Sequence, residues 1–526
     1  MIVYSNGTKI KLESATIRKT VLKGRLKMIR KISTILFIIS ILAACSDNRS
    51  NDFLRQPMVG IIQNNEVPIL IKTISEGKVR IEYKKNGQSN STFTKSQTLS
   101  KDNALTANFI LSNLDYNTEY QYRVEFDGSN FSMWFSFKTF PTQGKPGKFS
   151  VVFSSGMREK YSTPYVYENI KKMSPTFIAL LGDQMYGDYD GNLNKLEEYL
   201  ANDSLRKKKI EDGEVMLKEK TVLDAFRGKY HRTFVESFQQ MSSSIPIMGI
   251  WDDHDFGQDN NDGTYPYKEI ARKVFMETYP TYPYEVENEG IYYRFTIADV
   301  DAFVLDTRWY RSPMQNSEGE DKIMLGAKQL AWFLNGLKQS TARIKIIFSS
   351  IPFNDYGGDT SSGREGYDSW MGFKFARNKV MSFIKENNIT GVVVLSADQH
   401  YPSTHILNWK PPIKYISKTD TSIEYSLSEL DNAIFDFSAG PFNYKKAAGH
   451  PLLPENQKNP LISYEVYRPA WAIPENKMDR PVISASVYGV AEIDTESSPA
   501  KVTVKFYELD QETKNMVELY KISISE

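Results

Sequence analysis

Cysteine is nearly missing from this chain: Cys45 is the single one in 526 residues. No intramolecular disulfide can form, and a cysteine-based zinc site is excluded. A surplus of positive charge is missing too. Lys+Arg 65 against Asp+Glu 64 leaves a net charge of +1, without the basic excess or basic stripe of a duplex DNA binder. No sequence-specific nucleic-acid partner is therefore expected. The run "RKKK", Arg206 to Lys209, is short and flanked by acids, the pattern of a solvated helix face. No Gly-x-Ser-x-Gly elbow occurs, and no glycine loop ends in "GKS" or "GKT". Those absences disfavour covalent serine chemistry and NTP-driven chemistry. Internal repeats and low-complexity tracts are also lacking.

The position of the lone cysteine is informative. From Met28 the chain reads "MIRKISTILFIISILAAC": a basic start, an apolar run from Ile35 to Leu42, then small residues. This is the layout of a secretory signal, too short for a membrane span. The ending "LAAC" resembles a bacterial lipoprotein box, which implies lipidation of Cys45 and an exported, membrane-anchored protein facing the periplasm or the cell exterior. A plain signal peptide or a buried helix is the alternative. Residues 1–27 are then read as a non-native extension with Met28 as initiator, 28–45 as the signal, and the polar residues 46–56 as a tether.

The chain is long enough for two or three domains, and 40% hydrophobic with 13% aromatic content marks an ordered protein. Residues 57–141 carry short alternating runs, among them "ILIKTI", "VRIEYKK" and "EYQYRVEF". Period-two alternation between turn residues predicts a small all-β sandwich. The stretch "LSNLDYNTEYQYRVEFDG" resembles the late strands of a fibronectin type III-like domain, and packing on its neighbour is the expected role. After the linker "PTQGKPGK", residues 147–526 alternate strands and helices. "RIKIIFSS" and "GVVVLSAD" read as strands buried on both faces. The spacing of Ala327, Leu330, Ala331, Leu334 and Leu337 predicts one buried helix face. Residues 192–241 read as a charged helical insertion, placed to act as a substrate-selecting lid. Antiparallel strands return at the C-terminus, so the fold class is α/β, with a layered α/β/β/α arrangement.

Three strand ends share one pattern. "FIALLGDQMYGD" puts Asp183 after a buried run, with Tyr186 close behind. "IPIMGIWDDHD" delivers Asp252, Asp253, His254 and Asp255, and "GVVVLSADQH" delivers Asp398 and His400. In open α/β sheets the carboxyl ends of neighbouring strands line one crevice. Carboxylates gathered there need either Lys and Arg or metal ions. The motif segments hold almost no cations, so metal is the expected partner, and these donors suit Ca, Mn, Fe or Zn.

The ordered motifs "GDQMYGD", "WDDHDFGQDN", "VLDTRWYR" and "LSADQH" resemble those of the PhoD-like alkaline phosphatases in the metallophosphoesterase superfamily. The resemblance runs from about Gly60 onward. It implies an α/β/β/α catalytic domain behind a β-sandwich, and a centre of two or more metal ions, Ca and/or Fe. The implied reaction is hydrolysis of phosphomonoesters or phosphodiesters by a metal-activated water. On that resemblance Asp183 bridges two metals, Tyr186 ligates one, and Asp253, Asp398 and His400 are further ligands. Asp252 is an additional or outlying acid, and His254 is the catalytic histidine. One departure stands out: Gly156, in "FSSGMRE", occupies the place of the family's iron-binding cysteine. That loss leaves Mn or Zn open as alternatives, with Ser155 or a water completing the shell.

Arg308 is the first choice for phosphate contact, with a salt bridge to Asp306 as the equal alternative, and Arg158 is the second. Asn261 and Asp262 shape the mouth or form a solvent-exposed turn. The expected partners are a small phosphate ester and the membrane through Cys45, and the expected state is a monomer. A competing function is a non-catalytic surface lipoprotein that binds glycan or protein.

Overall fold

The computed structural model describes residues 53–187, 214–280, 284–355, 368–408, 422–427, 430, 433–445, 462–472 and 484–526. The N-terminal extension, the signal and Cys45 lie outside the described residues. No helix among the described residues is long and apolar enough to cross a membrane.

Alternation builds the first unit as expected. In Glu119–Phe126, Tyr120, Tyr122 and Val124 point inward while Gln121 and Arg123 face out, the period of a half-buried strand. One sheet joins Phe53–Val59, Val67–Thr73 and Thr106–Leu111; the other is built around Gly77–Lys85 and Glu119–Phe126. The first strand corrects the tether reading, because residues 53–56 already pair with Val67–Thr73. Its polar sequence is misleading. Arg55 is buried there, and its Nη2 donates to the Thr278 carbonyl at 2.6 Å.

The second unit stacks two seven-stranded sheets. One contains Ile247–Ile250, Phe177–Leu181 and Lys148–Ser154 in parallel, continued antiparallel by Val487–Asp494, Lys501–Leu509 and Met516–Ser525. The other is parallel through Val300–Val304, Ile344–Phe348, Val392–Ser396 and Ile434–Ser438. Runs apolar at every position supply both faces of a strand. Ile344, Ile346, Phe348, Val393 and Leu395 enter the core between the sheets. Ile347, Val392 and Val394 turn the other way, onto helices Gly326–Gln339 and Lys374–Glu386. Across the sheet interface Phe177 meets Phe295 at 5.7 Å and Phe348 at 6.2 Å. Helix Pro164–Met173 buries Val166, Tyr167 and Ile170 on the outer side of the first sheet. The result is the expected four-layer α/β/β/α order.

Two helical expectations need correction. Helix Gly326–Gln339 buries Gln329, Phe333, Gly336 and Leu337. Leu330 and Leu334 pack partly buried on the same core as expected, whereas Ala327 and Ala331 are exposed. The polar Gln329 goes inside because its amide closes on one residue. Its Oε1 accepts from the Asp306 N–H and its Nε2 donates to the Asp306 carbonyl, both at 2.8 Å. Such a doubly satisfied buried amide costs little. Of the segment read as a lid, residues 192–213 lie outside the described residues. Its remainder includes helix Glu214–Thr233, which is scaffold: Val222, Phe226 and Tyr230 are buried in the main core.

The sandwich is tied to the layers rather than hung beside them. Gly60 bridges to Ile247 at the edge of the first sheet, and Tyr122 Oη donates to the Ser243 carbonyl at 2.8 Å.

Candidate metal centre

Strands Phe177–Leu181 and Ile247–Ile250 run parallel with Leu181 opposite Ile250, so their acidic exits start side by side. Their approach is very close. A Cβ added to Gly182 would sit 2.3 Å from Asp252 Cβ, and this glycine has φ +93, a conformation costly to any other residue. The third exit comes from Val392–Ser396 in the opposing sheet. The crevice therefore lies between the carboxyl ends of two sheets, not along one. Asp183, Asp398 and His400 all have positive φ, at 56, 73 and 59. Clustered strain of this kind is maintained by the surrounding structure and is typical of functional sites.

The acids converge. Ligand atoms of Asp183, Asp253 and His254 lie within 4.8 Å of one another, as do those of Asp183, Asp252 and Asp398. Asp183 belongs to both trios. Its Oδ2 receives the Tyr186 hydroxyl at 3.3 Å. The buried oxygens Asp183 Oδ1 and Asp252 Oδ2 have no hydrogen-bond donor among the described residues. Asp255 is different, being a tie between loops. Its Oδ1 accepts from the Met185 N–H and the Tyr230 hydroxyl, and its Oδ2 from the Asp252 N–H, each at 3.1 Å. His254 is buried with its ring 4.3 Å from that of Tyr186, and its Nε2 is 3.6 Å from the exposed Asp259 carboxylate.

Titration follows from this crowding. Burial pushes the Asp183 carboxyl well above its ordinary range, and Asp253, Asp252, Asp255 and Asp398 add to the shift. Asp398 moves the same way by burial, then by Asp252, Asp368 and Asp253. Burial lifts Asp252 to about 7 against the pull of Arg308, and also lifts Asp255 to about 7. Asp253 is held below its range because His254, Arg308 and the Asn260 N–H together outweigh burial. His400 is pushed down to about 4 by burial and then by His254, leaving a neutral imidazole able to ligate. Like charges under 5 Å apart repel by about 3 kcal/mol at an effective dielectric of ~20. Orphaned carboxylate oxygens, a neutral imidazole and a phenol form a donor set that fits hard or borderline metal ions.

Comparison with known proteins places this geometry. A family model described as PhoD-like phosphatase matches residues 151–461, more than half of the chain. The chain belongs to that family. A second model, the N-terminal domain of purple acid phosphatases, matches residues 70–139 in the sandwich. Alkaline phosphatase D of Bacillus subtilis (strain 168) is 25% identical over 315 residues, covering 55% of this chain and 52% of that protein. The chain thus spans about half the length of this curated relative. A solved structure of PhoD has TM-score 0.63 at 17% identity, covering 90% of this chain and 93% of that one. The purple acid phosphatase PPD1 from yellow lupin (Lupinus luteus) seeds has TM-score 0.58 at 11% identity, over 90% and 74%. Both likenesses are of fold.

Within this PhoD-like frame the structure brings Asp183, Tyr186, Asp252, Asp253, His254 and Asp398 together, with His400 close enough to feel the charge of His254 and Asp253. Arg308 is placed otherwise. Its guanidinium is fully buried, and each of its three nitrogens is engaged. Nε and Nη2 reach Asp252 Oδ1 at 2.7 and 2.6 Å, Nη1 and Nη2 grip Asp368 at 2.8 and 2.9 Å, and Nη1 also meets the Asn261 carbonyl at 3.0 Å. This corrects the phosphate-contact role, and the expected salt bridge to Asp306 as well, since Arg308 reaches Asp306 through its backbone N–H and not through its guanidinium. It also corrects the expectation that cations are lacking. Arg311 joins Asp368 at 2.6 Å, so two arginines partly offset six acids: Asp183, Asp252, Asp253, Asp255, Asp368 and Asp398. Asp368 was invisible to pattern reading because "YDSW" ends no strand.

Arg158, the second choice, fares better. It is half-buried, with its guanidinium 5.8 Å from the Tyr186 ring centroid. The adjoining Met157 N–H donates to the Asp183 carbonyl at 2.6 Å, which fixes this segment against the acid loop. Gly156 has φ +72, and a Cβ there would lie 3.6 Å from Tyr186 Oη. The place of the expected thiolate is thus beside the centre. Ser155 is buried and its Oγ accepts from the Asp398 N–H at 3.2 Å. Asn261 gives its carbonyl to Arg308, and Asp262 accepts from Thr264 in a partly exposed turn.

A pH dependence follows. Asp183, Asp252, Asp255 and Asp398 hold protons more tightly folded than unfolded. Their stabilisation is complete below the ordinary carboxylate range and is lost as pH rises through about 7. His400 and His405, pushed down to about 4 and about 3, act oppositely at lower pH. The melting temperature of metal-free protein should therefore fall between about pH 6 and about pH 8, and a divalent cation should restore it. A flat profile in scanning fluorimetry, or no response to cation, would refute this account of the acid cluster.

Proposed function

We propose that this chain is a monomeric, metal-dependent hydrolase of phosphate esters. The observation that carries the reading is Asp183, which belongs to two donor trios and has a buried oxygen without a hydrogen-bond donor among the described residues. Two ions held there would supply hydroxide near neutral pH and positive charge for the phosphoryl oxygens. The chain's own residues do the rest. Asp183 would serve both positions, with Asp253 on one side and Asp252 and Asp398 on the other. His254, steered by Asp259 and packed on Tyr186, holds a proton that it can deliver to the leaving oxygen. Arg158, at the mouth, contacts the phosphate of the incoming ester. Arg308 and Asp368 hold Asp252 in place. An oxygen, imidazole and phenol donor set supports Ca and/or Fe, with Mn or Zn as the alternatives where Gly156 supplies no thiolate.

Parallel assays with p-nitrophenyl phosphate and bis-p-nitrophenyl phosphate, on protein of measured metal content, test the reading and rank monoester against diester. Inert protein with both ions bound would overturn it in favour of a binding role.

The same proposal places the enzyme outside the cytoplasm of a bacterium, anchored by lipid on Cys45. Its support is the sequence "LFIISILAAC". Cys45→Ser should remove the lipid mass from the mature protein and shift it from the membrane fraction to the soluble fraction. Unchanged mass and fractionation would sink the anchor.

A further inference from the structure

A second site lies away from the acids, where the sandwich meets helix Glu214–Thr233. A cavity of about 370 Å³ opens there, lined by Arg55, Lys72 and Lys101 from the sandwich side and by Arg227, Tyr230 and His231 from the helix. For a chain of net charge +1, this is a strong local imbalance. No Asp or Glu lines the cavity among the described residues. Glu277, the acid whose charge Lys72 feels, is engaged by Arg227, whose Nε and Nη2 each reach a carboxylate oxygen at 2.7 Å. Arg55 is buried and anchored on the Thr278 carbonyl, over the Phe234 ring. The ammonium groups of Lys72 and Lys101 make no ion pair or hydrogen bond with a described residue; Glu76 accepts from the Lys101 backbone N–H instead.

Lys72 is the informative member. It sits half-buried in Val67–Thr73, and burial lowers its pKa to about 8, helped by Arg55 and Arg227 and opposed by Glu277. Gathering ammonium and guanidinium groups in a half-closed space without counter-charge is unfavourable. An anion reverses that cost. With Arg227 and Glu277 cancelling, Arg55, Lys72 and Lys101 leave three fixed positive charges facing one space, matched to an anion of two or more charges. Guanidinium forks and ammonium points are the usual donors to phosphate oxygens, and the volume falls within the range of small-ligand sites.

We propose that this interdomain cavity binds a phosphate group, as the free ion or as a small phosphomonoester. The site is independent of the metal centre and of the proposed hydrolysis. Tyr230 nevertheless connects the two, because it lines the cavity while its hydroxyl holds Asp255. An anion seated there braces the helix that positions the acid loop.

The test uses the full chain carrying Asp183→Asn, which disables the acid centre and leaves the cavity intact. Equilibrium dialysis should show saturable binding of inorganic phosphate, with a Kd of about 1 mM or tighter. Lys72→Met, which keeps the side-chain volume, and Lys101→Ala, in an exposed turn, should each weaken binding about tenfold. Equal affinity for inorganic phosphate and glycerol 3-phosphate identifies the free ion as the ligand; binding of glycerol 3-phosphate alone identifies the ester. If Lys72→Met lowers the melting temperature, Lys101→Ala decides. Saturable binding of neither compound, or affinity unmoved by the lysine changes, overturns the site.

Discussion

Asp183→Asn should lower phosphoester turnover about 10³-fold or more and reduce bound metal. The side chain is common to both donor trios, so an amide in its place weakens two ion positions at once. Metal content by elemental analysis and p-nitrophenyl phosphate hydrolysis measure the two losses. A third readout separates this from simple damage. Burial and repulsion by Asp253, Asp252, Asp255 and Asp398 already oppose the Asp183 charge. Removing it should leave metal-free protein as stable as wild type or more so, the usual trade between a strained site and stability. Full activity with unchanged metal would refute the proposed centre, and a collapse in metal-free stability would assign Asp183 a structural role.

Arg308→Met should destabilise the fold by about 3–5 kcal/mol, the range for breaking a buried ion pair from one side. Its guanidinium is fully buried between Asp252 and Asp368, with every nitrogen engaged. Loss of the charge strands both carboxylates beside Asp398 and Asp253. Denaturant unfolding measures the change, and added metal should recover part of it by neutralising Asp252. Stability within about 1 kcal/mol of wild type, with a raised KM alone, would return Arg308 to the phosphate-contact role.

The contrast between Asp183 and Arg308 shows where reading a sequence works. Strand exits are local events: an apolar run must end, and Gly-Asp or Asp-Asp-His-Asp directly after it is visible within a dozen letters. Residue type alone then indicates what such a cluster can hold. Arg308 also follows a strand and stands two residues from Asp306, so proximity in sequence favoured that pairing. Its guanidinium instead spans to Asp252 and Asp368, and a long flexible side chain leaves no trace of that choice in its neighbours. Gln329 went inside for a similar reason, since the polar groups of Asp306 waited there. The basic cavity is assembled from Arg55, Lys72, Lys101 and Arg227, which are scattered along the chain among ordinary surface-like charges.

Periodicity and motif order were sufficient for the layers, the β-sandwich and the three acidic strand ends, because backbone geometry converts local pattern directly into element type and facing. Which acids share a cation, which arginine is consumed in holding them and where basic side chains meet were decided only by the packing of two sheets and a sandwich. Those outcomes depend on distances between segments far apart in the chain, which no local pattern encodes.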